Sequence, residues 1–408
     1  MSARLIFLII TTLIIFLIVF ANSYLIVRLT NVKRRSRWFW RLVLLQVLAI
    51  GGTTYYQMAQ VQLLGTSMYE FWRGWATGTY GLMMGLGVCF AILIPLGIVM
   101  AAVNWRAKKT TAEEQDSRRQ FLRKAIWAVP AVTAGGGVVR AYEGAKEVQV
   151  NHIDLVFRSL PEYLKDYKLA QISDVHIGPF IDLKDFDKIT QTVLNEKPDR
   201  LVITGDLIDD LDFLNPLCGR LEELFPKIPD GIDYILGNHE YFKNLPRVLE
   251  AFSGISMRMH RNSSLRLSGG SWPVYLAGVE YSFDHSGEQR ETYLKEALAN
   301  VPSEAFTILL AHHPDFIENA FAHNIPVTLS GHTHGGQIVV GGTALVPVGT
   351  KYFKGMYRDG TKYGYVNNGT GHWFPVRYNC PREITIFTFR EGKVQKYSKI
   401  LKFFKLFA

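Results

Sequence analysis

Five short apolar runs, at residues 169–172, 201–203, 234–236, 308–310 and 327–329, each lead within a few positions into Asp, Asn or His. The followers are Asp174-Val175-His176, Gly205-Asp206-Leu207-Ile208-Asp209, Gly237-Asn238-His239-Glu240, His312-His313 and Gly331-His332-Thr333-His334. An apolar run that stops at a glycine and a carboxylate is how a buried parallel strand delivers a side chain to the carboxyl edge of its sheet. One such stop is an ordinary turn. Five in succession bring carboxylate, imidazole and carboxamide groups to one edge, and that is a metal site.

The rest of this region alternates strand and helix from about residue 146. Val148, Val150, Ile153, Leu155 and Phe157 mark an edge strand or hairpin, and Phe186, Ile189, Val193 and Leu194 recur at helical spacing over 183–195, with Pro198 as the stop. Further helices are expected at 245–252, 292–298 and 316–321. Further strands are expected at 232–236, 274–277, 363–366, 384–389 and 394–397. Two sheets packed face to face with helices outside fit this order. The domain is placed at 146–398, followed by an apolar and basic tail, 399–408, that docks on the domain or touches a membrane surface.

The first 140 residues read differently. Apolar residues fill 5–27, 42–64 and 80–103, each long enough for a bilayer of about 30 Å, with a shorter candidate at 125–139. Gly81, Gly85 and Gly87 would permit close helix packing, or simply face lipid. The formal net charge is +9. Much of the excess flanks these runs, at Lys33, Arg34, Arg35, Arg37 and Arg41 and again over 106–124, so membrane topology explains it better than nucleic acid. With both basic loops inside, an integral-membrane chain would carry its catalytic domain on the outer (periplasmic or extracellular) face. If 125–139 does not span, the domain faces the cytoplasm. Ser117-Arg118-Arg119-Gln120-Phe121-Leu122-Arg123-Lys124 resembles a twin-arginine export signal, and a basic juxtamembrane helix is the alternative. Cys89, Cys218 and Cys380 form no disulfide framework and offer no thiol set for a metal.

The five blocks, in this order, resemble the calcineurin-like metallophosphoesterase superfamily over about 165–390. Ser173-Asp174-Val175-His176-Ile177-Gly178, Gly331-His332-Thr333-His334-Gly335-Gly336-Gln337, Pro375-x-Arg377 and Pro381-Arg382-Glu383-Ile384 resemble its bacterial membrane-associated branch. The resemblance implies an α/β fold of four layers, αββα, preceded here by a transmembrane helical region, and two divalent ions of Mn, Fe or Zn. Residue by residue, it implies that Asp174, His176, Asp206 and His334 hold one ion. Asp206, Asn238, His312 and His332 would hold the other, with Asp206 bridging. A shared carboxylate permits two cations about 3.5–4 Å apart, the spacing that clamps attacking and leaving oxygens. His239 matches the general acid, which protonates the departing oxygen after attack by a metal-bridged hydroxide. Asp209 is expected to orient its neighbours, and His313, pointing away from His312 if the strand persists, to be structural. Arg377, Tyr241 and Asn368 are candidates to contact substrate, although Asn367-Asn368-Gly369 stands where relatives often have Arg-Gly.

The activity implied is phosphoester hydrolysis, with a phosphodiester favoured, on lipid headgroups or other phosphorylated envelope material. Membrane lipids and a phosphorylated, lipid-linked substrate are the expected partners, and nucleic acid is not. The alternatives are a cytoplasm-facing pyrophosphohydrolase of a nucleotide-linked lipid precursor of the UDP-diacylglucosamine type, and a non-catalytic metal-binding membrane protein. A transport role for the last would want ionisable residues within the spans, and almost none are there.

Overall fold

The strands that deliver the five blocks are buried on both faces. In the computed structural model the described residues are 35–63, 66–106, 132–144 and 148–393, except 269–270, 285, 341 and 345–348, with scattered positions at 17–27, 128–129 and 146. The chain divides into two units, Met1–Glu147 with Phe374–Tyr378, and Val148–Trp373 with Asn379–Ala408.

The second unit holds two six-stranded sheets. Strands β1 (Val148–Phe157), β2 (Lys168–Ile172), β3 (Arg200–Thr204), β4 (Ile232–Ile235) and β5 (Arg258–Met259) lie in one, with β14 (Arg382–Glu391) inserted between β1 and β2. The other runs β12 (Gly355–Asp359), β13 (Lys362–Val366), β9 (Val327–Ser330), β8 (Phe306–Leu310), β7 (Val274–Gly278), β6 (Ser263–Ser268). A two-stranded hairpin, β10 (Val339–Val340) with β11 (Thr343–Ala344), stands apart. Strands β2 to β5 are mutually parallel, as are β7, β8, β9 and β13. Parallel strands share one carboxyl edge, so the loops after β2, β3 and β4 leave one edge, and those after β8 and β9 leave one edge of the other sheet.

Alternation decides what each strand face meets. Leu155, Phe157, Leu169, Val202 and Phe387 of the first sheet share one apolar cluster with Val274, Leu276, Phe306, Ile308, Val327 and Tyr363 of the second. On the second sheet's other face, Ala277, Leu309 and Ala311 pack on Leu294, Ala297, Phe316 and Ala320 of the helices Glu288–Leu298 and Phe316–Ala322. The helices Leu183–Asn195, Leu214–Leu224 and Leu245–Ser253 bury Phe186 and Ile189, Leu217 and Leu221, and Val248 and Phe252. Tyr234 of β4 meets Phe252 edge-on with 5.3 Å between centroids. Helix, sheet, sheet, helix is the sandwich read from the chain. A buried polar knot ties the edge: Asp233 of β4 is paired with Arg200, Arg258 and His260. Burial alone would raise its carboxyl, but hydrogen bonds from Arg258 and His260 and the charge of Arg200 outweigh it and hold the group well below the usual carboxylate range.

In the first unit, helix Arg35–Leu63 packs on helix Ser67–Arg106, and the Trp75 indole donates to the carbonyl of Ala49 at 3.0 Å. A Cβ on Gly81 or Gly85 would overlap the backbone at Gly137 or Thr133, so these glycines serve close approach of chain to chain, whereas Gly87 has open space. Among the described residues no helix is long and apolar enough to cross a membrane. That overturns the expected integral-membrane placement with its outward-facing catalytic domain. Helix Arg35–Leu63 is continuous but carries the polar Gln46, Thr53 and Thr54; Gln46 bonds Ser23, and the threonine hydroxyls bond carbonyls one turn back. Helix Ser67–Arg106 carries the Glu70–Arg73 ion pair, Thr77 and Thr79 through its opening turns, and several side chains of its second half lie outside the described residues. The run at 5–27 lies largely outside the described residues, whereas most of 125–139 is described, with 132–139 helical. The twin-arginine-like segment, the expected strand at 394–397 and the tail lie wholly outside the described residues.

Candidate metal centre

The backbone at the strand ends is bent in a way side chains resist. Asp174, His176, Asp206, His332 and His334 sit at φ of 52°, 55°, 52°, 74° and 49°. Non-glycine residues pay about 1–3 kcal/mol for that region and hold it where surrounding bonds dictate. Here the Asp174 and His176 N–H groups donate to the carbonyls of Gly205 and Asp206, both at 3.0 Å. Gly205 and Gly237 are required by contact: a Cβ on the first would overlap His312 Nδ1, and on the second Asp206 Oδ1.

A buried carboxylate fixes the central loop. Glu240 Oε1 accepts from the N–H groups of Leu207 and Ile208 at 2.7 and 3.2 Å, and Oε2 from Gly237 and Asp206 at 2.7 and 3.1 Å. Burial and the charge of Asp206 push this carboxyl up. With four donors on its oxygens no lone pair is left for a proton, so the group is ionised at neutral pH. Glu240 belongs to a block visible in the chain, but its role is a tertiary one that sequence reading does not assign. Ser173, likewise within a visible block, has a role that only the fold assigns. Its hydroxyl donates to Asp174 Oδ2 at 2.5 Å and turns that carboxylate.

The side chains converge in three overlapping groups: Asp174, His176 and His334; His176, Asp206 and His239; and Asp206, His312 and His332. Within each group one ligand atom per residue lies within 4.8 Å of the others. Their geometry suits cations rather than one another. His176 Nε2 faces His334 Nε2 at 2.9 Å, a nitrogen pair that aims two lone pairs at one place when both rings are neutral. His312 Nδ1 bonds the carbonyl of Thr204 at 2.6 Å, which sets its N–H there and leaves Nε2 as the free donor. That Nε2 is buried, has no hydrogen-bond partner of proper geometry, and lies 3.3 Å from Asp206 Oδ2. Asn238 Oδ1 meets His332 Nδ1 at 2.9 Å. The oxygen and nitrogen donors, with no thiolate, fit Mn, Fe or Zn.

Charges follow the geometry. Burial disfavours the charged form of His312, but the carboxylate of Asp206 outweighs it and lifts the ring to about 10. Protonated, His312 keeps a proton where a cation would sit, and metal uptake displaces it. Burial and the neighbouring His312 and His313 hold His332 well below its ordinary range, as a neutral ligand. His239, half-buried, is lifted to about 9, since Asp206 and Asp209 together overcome the cost of burial. Asp209 Oδ1 lies 2.5 Å from His239 Nδ1 and orients that ring, while His176 Nδ1 lies 3.3 Å from the same oxygen outside hydrogen-bond geometry. The free edge of His239 lies 3.9 Å from Asp206 Oδ2.

The remaining candidates fare differently. Tyr241 donates its hydroxyl to Glu280 at 3.0 Å. Asn368 donates its amide to Glu383 at 2.8 Å and its backbone N–H to the same carboxylate at 2.9 Å. Arg377 falls in Phe374–Tyr378, which groups with the N-terminal unit rather than with the sandwich. β8 ends at Leu310, so strand alternation does not extend to His313. Its ring lies 4.8 Å from that of His332.

A family model of calcineurin-like phosphoesterases matches residues 167–336. The chain is 31% identical over 290 residues to the metallophosphoesterase YkuE of Bacillus subtilis, covering 67% of this chain and 98% of that protein. It is 32% identical to a metallophosphoesterase of Helicobacter pylori, covering 60% of this chain and 64% of that one. It is 26% identical to the bovine "transmembrane protein with metallophosphoesterase domain", covering 85% and 79%. The chain belongs to the calcineurin-like metallophosphoesterase family, whose members use divalent metals, and it is a metal-dependent phosphoester hydrolase.

Proposed function

We propose that Asp174, His176, Asp206, Asn238, His312, His332 and His334 hold two divalent cations bridged by Asp206, and that the pair hydrolyses a phosphate ester, a phosphodiester in preference to a monoester. The observation that carries this reading is His312: its Nδ1 is committed to the Thr204 carbonyl while its buried Nε2 stands beside Asp206 without a hydrogen bond. A bound cation pair supplies Lewis acidity at the phosphoryl oxygens and activation of the attacking water. The chain does the rest. Asp206 and the histidines would hold the cations against which the phosphoryl group is oriented, the Glu240 cradle keeps Asp206 from turning away, and Asp209 sets the His239 tautomer. His239 delivers a proton to the departing oxygen from its free Nε2. The substrate classes proposed are lipid-headgroup diesters and, second, nucleotide-linked lipid pyrophosphates.

The test uses the full chain, stripped of metal and then reloaded with Mn, Zn or Mg, on an aryl phosphodiester, an aryl monoester and a nucleotide-lipid pyrophosphate. Turnover that requires metal and falls at least tenfold in His239→Ala supports the reading. Turnover that ignores chelation, or equal rates in His239→Ala, contradicts it.

A further inference from the structure

Beside the metal cluster, on the side of His239 and His332, the surface carries a connected set of aromatic rings that the hydrolytic chemistry does not use. Phe242 and Phe283 are 65% and 49% exposed. Phe242 closes the short helix Asn238–Phe242 and its ring centroid lies 5.9 Å from that of His239. Phe283 comes from the loop after β7 and lies 5.9 Å from Phe242, 5.7 Å from Tyr241 and 4.7 Å from Tyr281. Tyr281 continues the row to the metal ligands, 5.5 Å from His332 and 5.8 Å from His312. The rings thus form a path from the half-exposed His239 around to His332.

The row is held in place. Tyr241 donates to Glu280, which also accepts from Arg261 Nε at 2.6 Å, so the helix after β4 and the loop after β7 are pinned to each other. Two large exposed rings fixed at the mouth of a polar site are not packing: they present dry area where a substrate must pass. Along these contacts the row is all rings. Ring faces and edges reward another ring by offset or edge-on contact, whereas an alkyl chain gains only area and loses rotamer freedom on being ordered.

Resting on the phosphoesterase reading, we infer that Phe242, Phe283 and Tyr281 form a specificity rim that receives a planar ring carried by the ester, on the departing side next to His239. An aryl group and a nucleobase share this chemistry.

The experiment uses the full-length Mn-loaded protein and non-hydrolysable phosphonates, read as Kd by calorimetry. Methylphosphonate reports the phosphate site alone. Phenylphosphonate and uridine 5′-phosphonate report a ring from the two sources, and hexylphosphonate reports an apolar chain. A ringed probe binds about 3- to 10-fold tighter than hexylphosphonate, the span expected of one aromatic contact. Which ringed probe gains names the source. In Phe283→Leu and Phe242→Leu that preference falls toward unity while methylphosphonate binding and the thermal midpoint stay as in the wild type. Hexylphosphonate binding as tightly as both ringed probes, or an unchanged ring preference in both variants, overturns the rim. Failure of every phosphonate, methylphosphonate included, would instead overturn the phosphate-site reading beneath it.

Discussion

Replacing Glu240 with Gln tests how the central loop is built. Each carboxylate oxygen accepts two backbone N–H groups, Leu207 and Ile208 on one, Gly237 and Asp206 on the other. An amide keeps one accepting oxygen and turns an NH2 toward the other two donors. Two buried N–H groups are stranded, at about 1.5–3 kcal/mol for each lost bond to a charged acceptor, so the variant loses on the order of 3–6 kcal/mol. For a domain of this size that lowers Tm by roughly 10 °C. Glu240→Leu strands all four donors and lowers it further. The assay pairs thermal unfolding with Mn titration, because the stranded donors include the N–H of Asp206 itself. Stability and metal affinity should fall together. A Glu240→Gln protein that melts within about 2 °C of the wild type and binds Mn equally would refute the claim that this carboxylate shapes the metal loop.

Other outcomes follow from the same contacts. Asp209→Ala frees His239 Nδ1, and loss of such an orienting carboxylate lowers kcat about 10–100-fold. It also removes a charge that raises His239, so the alkaline loss of activity should move to lower pH; an unmoved limb in the pH–rate profile contradicts the acid role. Since Asp206 lifts His312 to about 10, Mn uptake at pH 7 should release protons, and affinity should rise with pH; calorimetry in two buffers of different ionisation enthalpy measures it. The Asp233 carboxyl is held below its unfolded value of about 3.9, so its contribution to stability is full above that pH and is lost as pH falls toward the folded value. Asp233→Asn should cost about 3–5 kcal/mol at neutral pH, by leaving Arg200 and Arg258 facing an uncharged group, and should flatten the acid dependence of Tm below pH 4.

Most of the sandwich was legible because its strands are short, doubly buried and punctuated. Runs such as 201–203 and 327–329 end where polar chemistry begins, and β3 and β9 occupy them. The helix Leu214–Leu224 was not expected, because Pro216 and Gly219 disguise its period; Pro216 stands within the first turn, where a missing N–H is tolerated. The ligand set could be read as a list, since each residue follows its strand. What held it could not: Ser173 against Asp174, Glu240 beneath four N–H groups, and the row from Phe242 to Tyr281 exist only once separate loops meet. Windowed hydropathy scored 42–64 and 80–103 as spans, but among the described residues no helix is apolar enough over its length.

The most direct measurement of the central claim is the electron paramagnetic resonance spectrum of the full chain as Mn is added. The account predicts a spin-coupled pair near two equivalents, and in Asp206→Asn only uncoupled Mn together with loss of phosphoester turnover. A single uncoupled ion that saturates at one equivalent and supports full turnover would contradict the bridged, dinuclear centre.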